Sequence, residues 1–549
     1  MTAETTLPTG MFASRRTVTM GLGGALLGAP ALARATTGAP RGAGGWIDIR
    51  RFGAKGDGTA IDSGAINQAI EAATRAGGGT VVVPPGRYLC FSIRLKSNVT
   101  IILSAGSVIE AADPDRHSGS YDPPENYMEE RFQDFGITHV HNSLFYGDGV
   151  ENVAIVGQGL IHGVGLDRAE PVGSRWHGDK GWISAKALGI TPKQAALRNP
   201  KEHEVIGRGN KTIGLINCRN VLLRDFTVLK GGHFCVIAHG VTHMTIDNLT
   251  IDTDRDGIDI DCCRDVRVTH CTVNSPKDDA IVLKSSYALG RKVMCEDISV
   301  LGCKTSGYAM GSVLDGTYRP SEYDAPDKLG PLGRIKMGTE TNGGFRNILI
   351  SDCTCEHSRG ILIGIVDGGL MENVMVSDIV MRDPVNHPLF VHLSGRSRAP
   401  QGTGIGTIRH VTFANVTVTG AKTPYACGVS GLPGHRIEDV TFSGIRVSGE
   451  GGGTDADAAR VPEERPTASL EVSFLGTLPA SGFYARHAER LTLRDFDVTL
   501  ARPDARPAVL LDDVQGAIVD GLVSSRARQD AVTTRGSSNV AVGAVQRMG

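Results

Sequence analysis

From about residue 90 onward, apolar and polar positions alternate in short runs that recur in one form. A polar residue, usually Asn or Asp, opens an alternating apolar strand; a polar step and a second apolar pair follow. Asn220 to Val228 shows the pattern, and His243 to Ile251 and Asp265 to Val273 repeat it. Further copies begin at Asp297, Asn347, Asn373, His410 and Asp439, with weaker ones near Leu491 and Ala517. Val221, Met244 and Val266 hold equivalent places and are separated by 23 and 22 residues. Short strands recurring at that period predict a β-solenoid, in which each coil adds two or three strands to long parallel ladders. The coils stack at about 4.8 Å. Longer gaps, 32 residues from Val266 to Ile298 and 50 from there to Ile348, place loops on one side of the stack, where repeat proteins often build a binding surface. A β-sandwich does not account for the period, and its hairpin turns, such as Asn-Gly, are nearly absent. The expected fold class is all-β, a right-handed parallel β-helix with an N-terminal capping helix.

The cap is read from Asp62 to Ala76, where Ile66, Ala69, Ile70 and Ala73 share one helical face. Gly77-Gly-Gly79 stops it and Thr80-Val-Val-Val83 starts the first sheet. An open-ended solenoid needs such a cover for its exposed edge. Residues 449–468 read as an exposed loop in the late coils. Residues 46–549 are expected to form one β-helical catalytic domain.

Residues 1–35 carry a different signal. Ser14-Arg15-Arg16-Thr17 precedes a weakly apolar stretch from Gly21 to Leu32, and Ala33-Arg34-Ala35 offers a small-x-small cleavage site. The twin arginine reads as a Tat-type export signal, so a periplasmic or secreted location is expected. The apolar stretch is too short to span a bilayer, and no membrane span is expected.

Composition narrows the function classes. Lys+Arg 57 against Asp+Glu 59 gives a formal charge of −2, which argues against a nucleic-acid partner because such binders carry a basic excess. Gly 71 and Pro 25 with few aromatics suit a turn-rich solenoid. Eleven cysteines is an odd number, and Cys271, Cys303 and Cys353 occupy one place in the repeat, so they read as small buried hydrophobes in a ladder rather than as a disulfide framework. A monomer is expected.

The chemistry is concentrated in acids. Asp252, Asp254, Asp256, Asp259 and Asp261 lie close together, followed by the pair Asp278-Asp279. Asp256 and Asp278 are 22 residues apart, one coil of the solenoid, so Asp256, Asp278 and Asp279 are expected on neighbouring coils facing the same side. Carboxylates so placed repel, and at least one pKa rises. Raised and ordinary carboxyls side by side are the working parts of glycoside hydrolysis, one donating a proton and another activating water or attacking the sugar. Asp252 and Asp261 read better as turn aspartates. Arg334 and Lys336, two apart in a strand, point to one face and could hold a sugar carboxylate or hydroxyls. His239, on the coil before Asp256, is a candidate substrate contact; Glu340 and Asn342 are weaker candidates.

Together these residues resemble glycoside hydrolase family 28, the polygalacturonase and rhamnogalacturonase family, over most of the chain from about residue 46 to 500. The entry Phe52-Gly-Ala-Lys-Gly-Asp-Gly58 with Gly77-Gly-Gly-Thr-Val-Val-Val-Pro84 is similar to that of pectin-degrading β-helices in general. The family's Asn-Thr-Asp-Gly motif is matched in part by Asp254-Arg255-Asp256-Gly257, its Asp-Asp by Asp278-Asp279, and its Arg-Ile-Lys by Arg334-Ile335-Lys336. Tyr308 stands where the family's Gly-His-Gly has histidine, and Asp254 where the first motif has asparagine. The resemblance implies an inverting hydrolase of galacturonate- or rhamnose-containing polysaccharide, working without metal or other cofactor. It further implies Asp278 as general acid, Asp256 and Asp279 holding and activating the water, and Arg334 and Lys336 on the sugar. Tyr308 can still hydrogen-bond the sugar, but cannot be a cation near neutral pH. Two readings of other classes stand beside it. A lyase or epimerase on the same scaffold would abstract a proton next to a carboxylate and show chelator-sensitive, unsaturated products. A glycan-binding solenoid would bind without cleaving.

Overall fold

The computed structural model describes residues 45–548 apart from 126, 128–130, 134, 168–206, 322–329 and 526–529. The expected export signal at residues 1–35 lies outside the described residues.

Each coil contributes three strands. One coil runs Phe234–His239, Thr242–Asp247 and Thr250–Asp252, and the next runs Asp256–Asp261, Arg264–Thr269 and Thr272–Asn274. Each strand pairs in parallel with its equivalent one coil later: Val236 with Ile258, Met244 with Val266, Ile251 with Val273. The strand pairings of the described residues repeat this to the C-terminal coil, giving three parallel ladders and the expected right-handed parallel β-helix. The core is the space between ladders. In the first ladder Val236, Ile258, Ile281, Ile335 and Ile361 point inward and stack coil upon coil, as do Ala238, Ile260, Leu283, Met337 and Ile363. Burying each large aliphatic side chain is worth about 1.5–3 kcal/mol. The helix Ser63–Arg75 covers the N-terminal end with Ile66, Ala69, Ile70 and Ala73, as its periodicity predicts.

The polar residue that opens each repeat has a backbone reason. Asn220, His243, Asp265, Asp297, Asn347, Asn373, His410 and Asp439 all adopt left-handed conformations, with φ between 52° and 58°. Asn and Asp tolerate that region better than other non-glycine residues. The same side chains link the coils: Asn220 donates to Asn152 at 2.8 Å, and Asn347 donates to Asp297 at 2.9 Å and accepts from Asn373 at 3.2 Å.

The insertions do not all fall at one corner. Residues 275–280 and 307–334 leave the third ladder for the first, whereas residues 286–294 leave the first for the second. They flank the first ladder on both edges, so its outer face becomes the floor of a groove. The segment read as an exposed loop at 449–468 is only partly so: a strand continues to Gly451 and a short helix spans Asp455–Ala459. Just beyond it, Leu470, Val472, Leu475 and Leu478 fold back onto outward-facing Leu362, Phe390, Tyr484 and Leu510 of the first ladder.

Candidate active site

The floor of the groove is set by strand parity. Side chains alternate across a strand, so where Ile258 and Ile260 enter the core, Asp259 faces out, in register with Ile237 before it and Val282 and Lys336 after it. Asp256 opens its strand opposite Phe234. Asp278 and Asp279 sit in the turn one coil later, and the Asp279 N–H is aimed at both Asp256 Oδ1 (3.2 Å) and Asp278 Oδ1 (3.0 Å). Gly333 N–H donates to the Asp278 carbonyl at 2.9 Å, which fixes the start of the strand carrying Lys336. The result brings oxygens of Asp256, Asp278 and Asp279 within 4.8 Å of one another.

The cavity above them is about 140 Å³, lined by Arg255, Asp256, Asp278, Asp279, Lys284, Lys336 and Glu340 on its polar side and by Ile137, His233, Phe234 and Thr339 on the other. That is well below the roughly 300–1,000 Å³ of drug-sized pockets. Asp256 and Asp279 are buried, whereas Asp278 keeps 24% of its side chain exposed. Of the three, Asp278 is the carboxyl an incoming glycosidic oxygen meets first.

The three acids are held in different states. Burial alone would raise Asp279, but Arg334 Nε at 2.6 Å and Lys336 Nζ at 3.0 Å outweigh it and bring the carboxyl down to about 2. Asp256 has no such partner close by; burial first, then Asp259 and Asp278, push it well above the ordinary 3.8, against the weaker pull of Lys284 at 3.6 Å. Burial also lifts Asp259 to about 7, although Lys284 Nζ lies 2.6 Å away. Lys284 itself stays charged, because Asp259, Asp256 and Glu340 together outweigh the cost of its burial. Glu340 is lowered: Lys284, Arg396 and Lys336 overcome the effect of burial. The trio therefore carries one firmly ionised member and one whose ionisation is disfavoured, and its protons belong to the group.

Three carboxyl oxygens this close could hold a cation, and among the described residues no other such group of His, Cys, Asp and Glu is found. The donor set fits a metal poorly. Asp279 is neutralised by two cations, Asp278 is paired with Arg255 Nη2 at 3.1 Å, and Lys284 stands behind Asp256. A divalent ion would meet four positive side chains around it.

Three expected contacts, His239, Tyr308 and Arg334, lie outside the cavity lining. His239 is wholly buried with its Nδ1 2.8 Å from Asp261, which also accepts from Ser286 N–H at 2.7 Å. It does not line the cavity; its outward-facing position is covered, and it serves the packing of the 286–288 turn. This also bears out the structural reading of Asp261. Tyr308 is likewise outside the cavity lining: its ring stacks on His357 at 5.5 Å and meets Tyr318 edge-on, while its N–H donates to Asn274. Arg334, expected on the sugar, is buried outside the cavity lining and reaches the site only through Asp279, with Glu471 at 2.9 Å on its other side. Asn342 ties Gln133 to the Arg398 carbonyl and is a strut between loops. Asp252 accepts from Val313 and Leu314 N–H and pins the 307–334 insertion, as a turn aspartate would.

The sequence reasoning missed Arg255, Lys284 and His233. Lys284 could have been found from parity, since it lies two residues beyond Val282 on the outward face. Arg255 sits between Asp254 and Asp256 in a motif already singled out. His233, stacked on Phe234 at 4.2 Å and 3.0 Å from Arg255, has no spacing signal.

Comparison with known proteins agrees with this architecture. Residues 46–178 match a family described as rhamnogalacturonase A/epimerase, pectate lyase-like. A probable polygalacturonase of Vitis vinifera is 24% identical over 343 residues, 60% of this chain and 60% of that protein. Alginate lyase 7 of Azotobacter vinelandii is 44% identical over 63 residues, 10% of this chain and 7% of that one. The match thus spans less than two thirds of either relative. A hyperthermoactive exopolygalacturonase from Thermotoga maritima superposes with a TM-score of 0.56 at 20% identity, covering 83% of this chain and 91% of that one. The fold is the right-handed parallel β-helix of the polygalacturonases, and its N-terminal coils carry the pectate lyase-like sequence.

Proposed function

We propose that this chain is a glycoside hydrolase of the polygalacturonase type, cleaving a pectin-like polysaccharide or oligosaccharide with inversion. The observation that carries this reading is the trio itself: three carboxyls within 4.8 Å of one another, one held ionised by two cations and one raised. Asp278 is the general acid, because of the three it is the carboxyl that reaches the cavity mouth. Asp256 and Asp279 grip the attacking water between them, so no carboxylate needs to act as nucleophile. The spacing is tighter than the roughly 6.5–9.5 Å of two-carboxylate inverting enzymes and near the roughly 5–5.5 Å of retaining ones. Inversion therefore rests on the third carboxylate and on the family resemblance. Proton NMR during the first turnovers tests it: the new reducing end should appear as the opposite anomer, and retention would assign Asp256 or Asp279 as a nucleophile.

A lyase or epimerase is favoured by the likeness to alginate lyase 7, but it needs a side chain free to take a proton beside a uronate. Arg255, Lys284, Lys336 and Arg334 are each engaged by carboxylates. Hydrolysis takes its base from the carboxylates that hold the water, and this favours it.

A further inference from the structure

Building on the hydrolase reading above, we infer that the sugar held at the cleavage centre is electrically neutral, a hexose or deoxyhexose, and not a uronate. The cavity presents four carboxyl side chains, Asp256, Asp278, Asp279 and Glu340, against three cations, Arg255, Lys284 and Lys336. Each cation is already engaged: Arg255 with Asp278 at 3.1 Å, Lys284 with Asp259 at 2.6 Å, Lys336 with Asp279 at 3.0 Å. His233 adds no charge, since burial, then Arg255, Lys211 and Lys284, push its pKa well below the ordinary value. The cations behind the cavity are also taken. Arg334 lies between Asp279 and Glu471, Arg359 reaches Glu471 at 3.4 Å, and Arg396 pairs with Asp367 at 2.6 Å and approaches Glu340.

A uronate entering this cavity would have to compete with carboxylates for cations they already hold: Lys284 with wholly buried Asp259, Lys336 with Asp279, and Arg255 with Asp278, each pair weakened by the exchange. A neutral ring asks for no such exchange. Its hydroxyls donate to Asp256, Asp278 and Glu340 and accept from the N–H groups that face the cavity, while its C–H face packs on Ile137 and Phe234. The inference concerns only the sugar at the cleavage centre; the rest of the polymer can be anionic.

Calorimetric titration of the full chain with L-rhamnose, D-galactose and D-galacturonate at about pH 6 and low salt, where the uronate is ionised, tests it. One neutral sugar should bind at least tenfold more tightly than galacturonate. Galacturonate binding as tightly, or no binding of either neutral sugar, overturns the inference. In Glu340→Gln the cations are less fully compensated, so the ratio of galacturonate to neutral-sugar affinity should rise several-fold; an unchanged ratio also counts against it. The hydrolase reading fails separately. Neutral preference without any bond cleavage would sink that reading alone, and cleavage that leaves a uronate at the new reducing end would sink this inference alone.

Discussion

At the residue scale, the site works by giving neighbouring aspartates opposite fates. Asp279 is lowered to about 2 from an ordinary 3.8, so its pairing with Arg334 and Lys336 stabilises the fold above the unfolded value and is lost as pH falls through about 2. Asp256 is raised, so the folded state prefers it protonated, and deprotonation weakens the fold as pH climbs above the ordinary carboxyl range. For catalysis, the basic limb of the pH profile marks loss of the trio's proton and the acid limb marks protonation of Asp279. Arg334→Met removes one of the two cations on Asp279 and should move the acid limb upward by about one unit, with kcat at the optimum reduced; an unmoved acid limb would show that Asp279 is not the group titrating. The trio was legible in the sequence because one coil separates Asp256 from Asp278. Its cation partners Arg255 and Lys284 were not, because a side chain's reach across coils has no period.

At the scale of the strand and its corner, what the sequence displays is the demand of one backbone conformation. Asn347 holds φ at 55° and stands in the middle of an Asp297–Asn347–Asn373 ladder. Asn347→Ala should destabilise the protein by about 1–2 kcal/mol, from left-handed strain and a lost ladder bond. Asn347→Gly should lose less, because glycine removes the strain and keeps only the missing bonds. Urea midpoints of the two variants beside the parent check this, and equal losses would place the whole effect in the ladder. These corners are legible in the repeat, because each one calls for a residue that accepts a left-handed backbone. The 470–480 segment was not visible in the same way: Leu470, Val472, Leu475 and Leu478 follow no coil spacing, and only the outward apolar faces of Leu362, Phe390, Tyr484 and Leu510 explain why they are there.

At the scale of the whole molecule, the stack is held without disulfides. All eleven cysteines are buried free thiols, several of them aligned along the stack as Cys271, Cys303 and Cys353 are. Burial pushes the Cys218 thiol up to about 11 and Cys235 higher still, so neither offers a thiolate to an oxidant. Thiol titration of the native protein should therefore find almost no rapid reaction, and titration after denaturation without reductant should find eleven thiols; fewer would reveal a disulfide. The solenoid itself was legible from its period. The groove was less so, since its walls come from insertions on both edges of the first ladder, and an insertion's path depends on which outward face it covers.

The central claim, that Asp256, Asp278 and Asp279 carry out hydrolysis of a pectin-like glycan, is tested most directly by products. The purified protein and its Asp278→Asn variant are incubated with homogalacturonan and rhamnogalacturonan oligosaccharides, and new reducing ends and unsaturated sugars are measured together. The account predicts saturated products from at least one of these, with the rate falling about 10²–10⁴-fold in the variant while sugar binding persists. Unsaturated products, no cleavage of either glycan, or a variant as fast as the parent would contradict it.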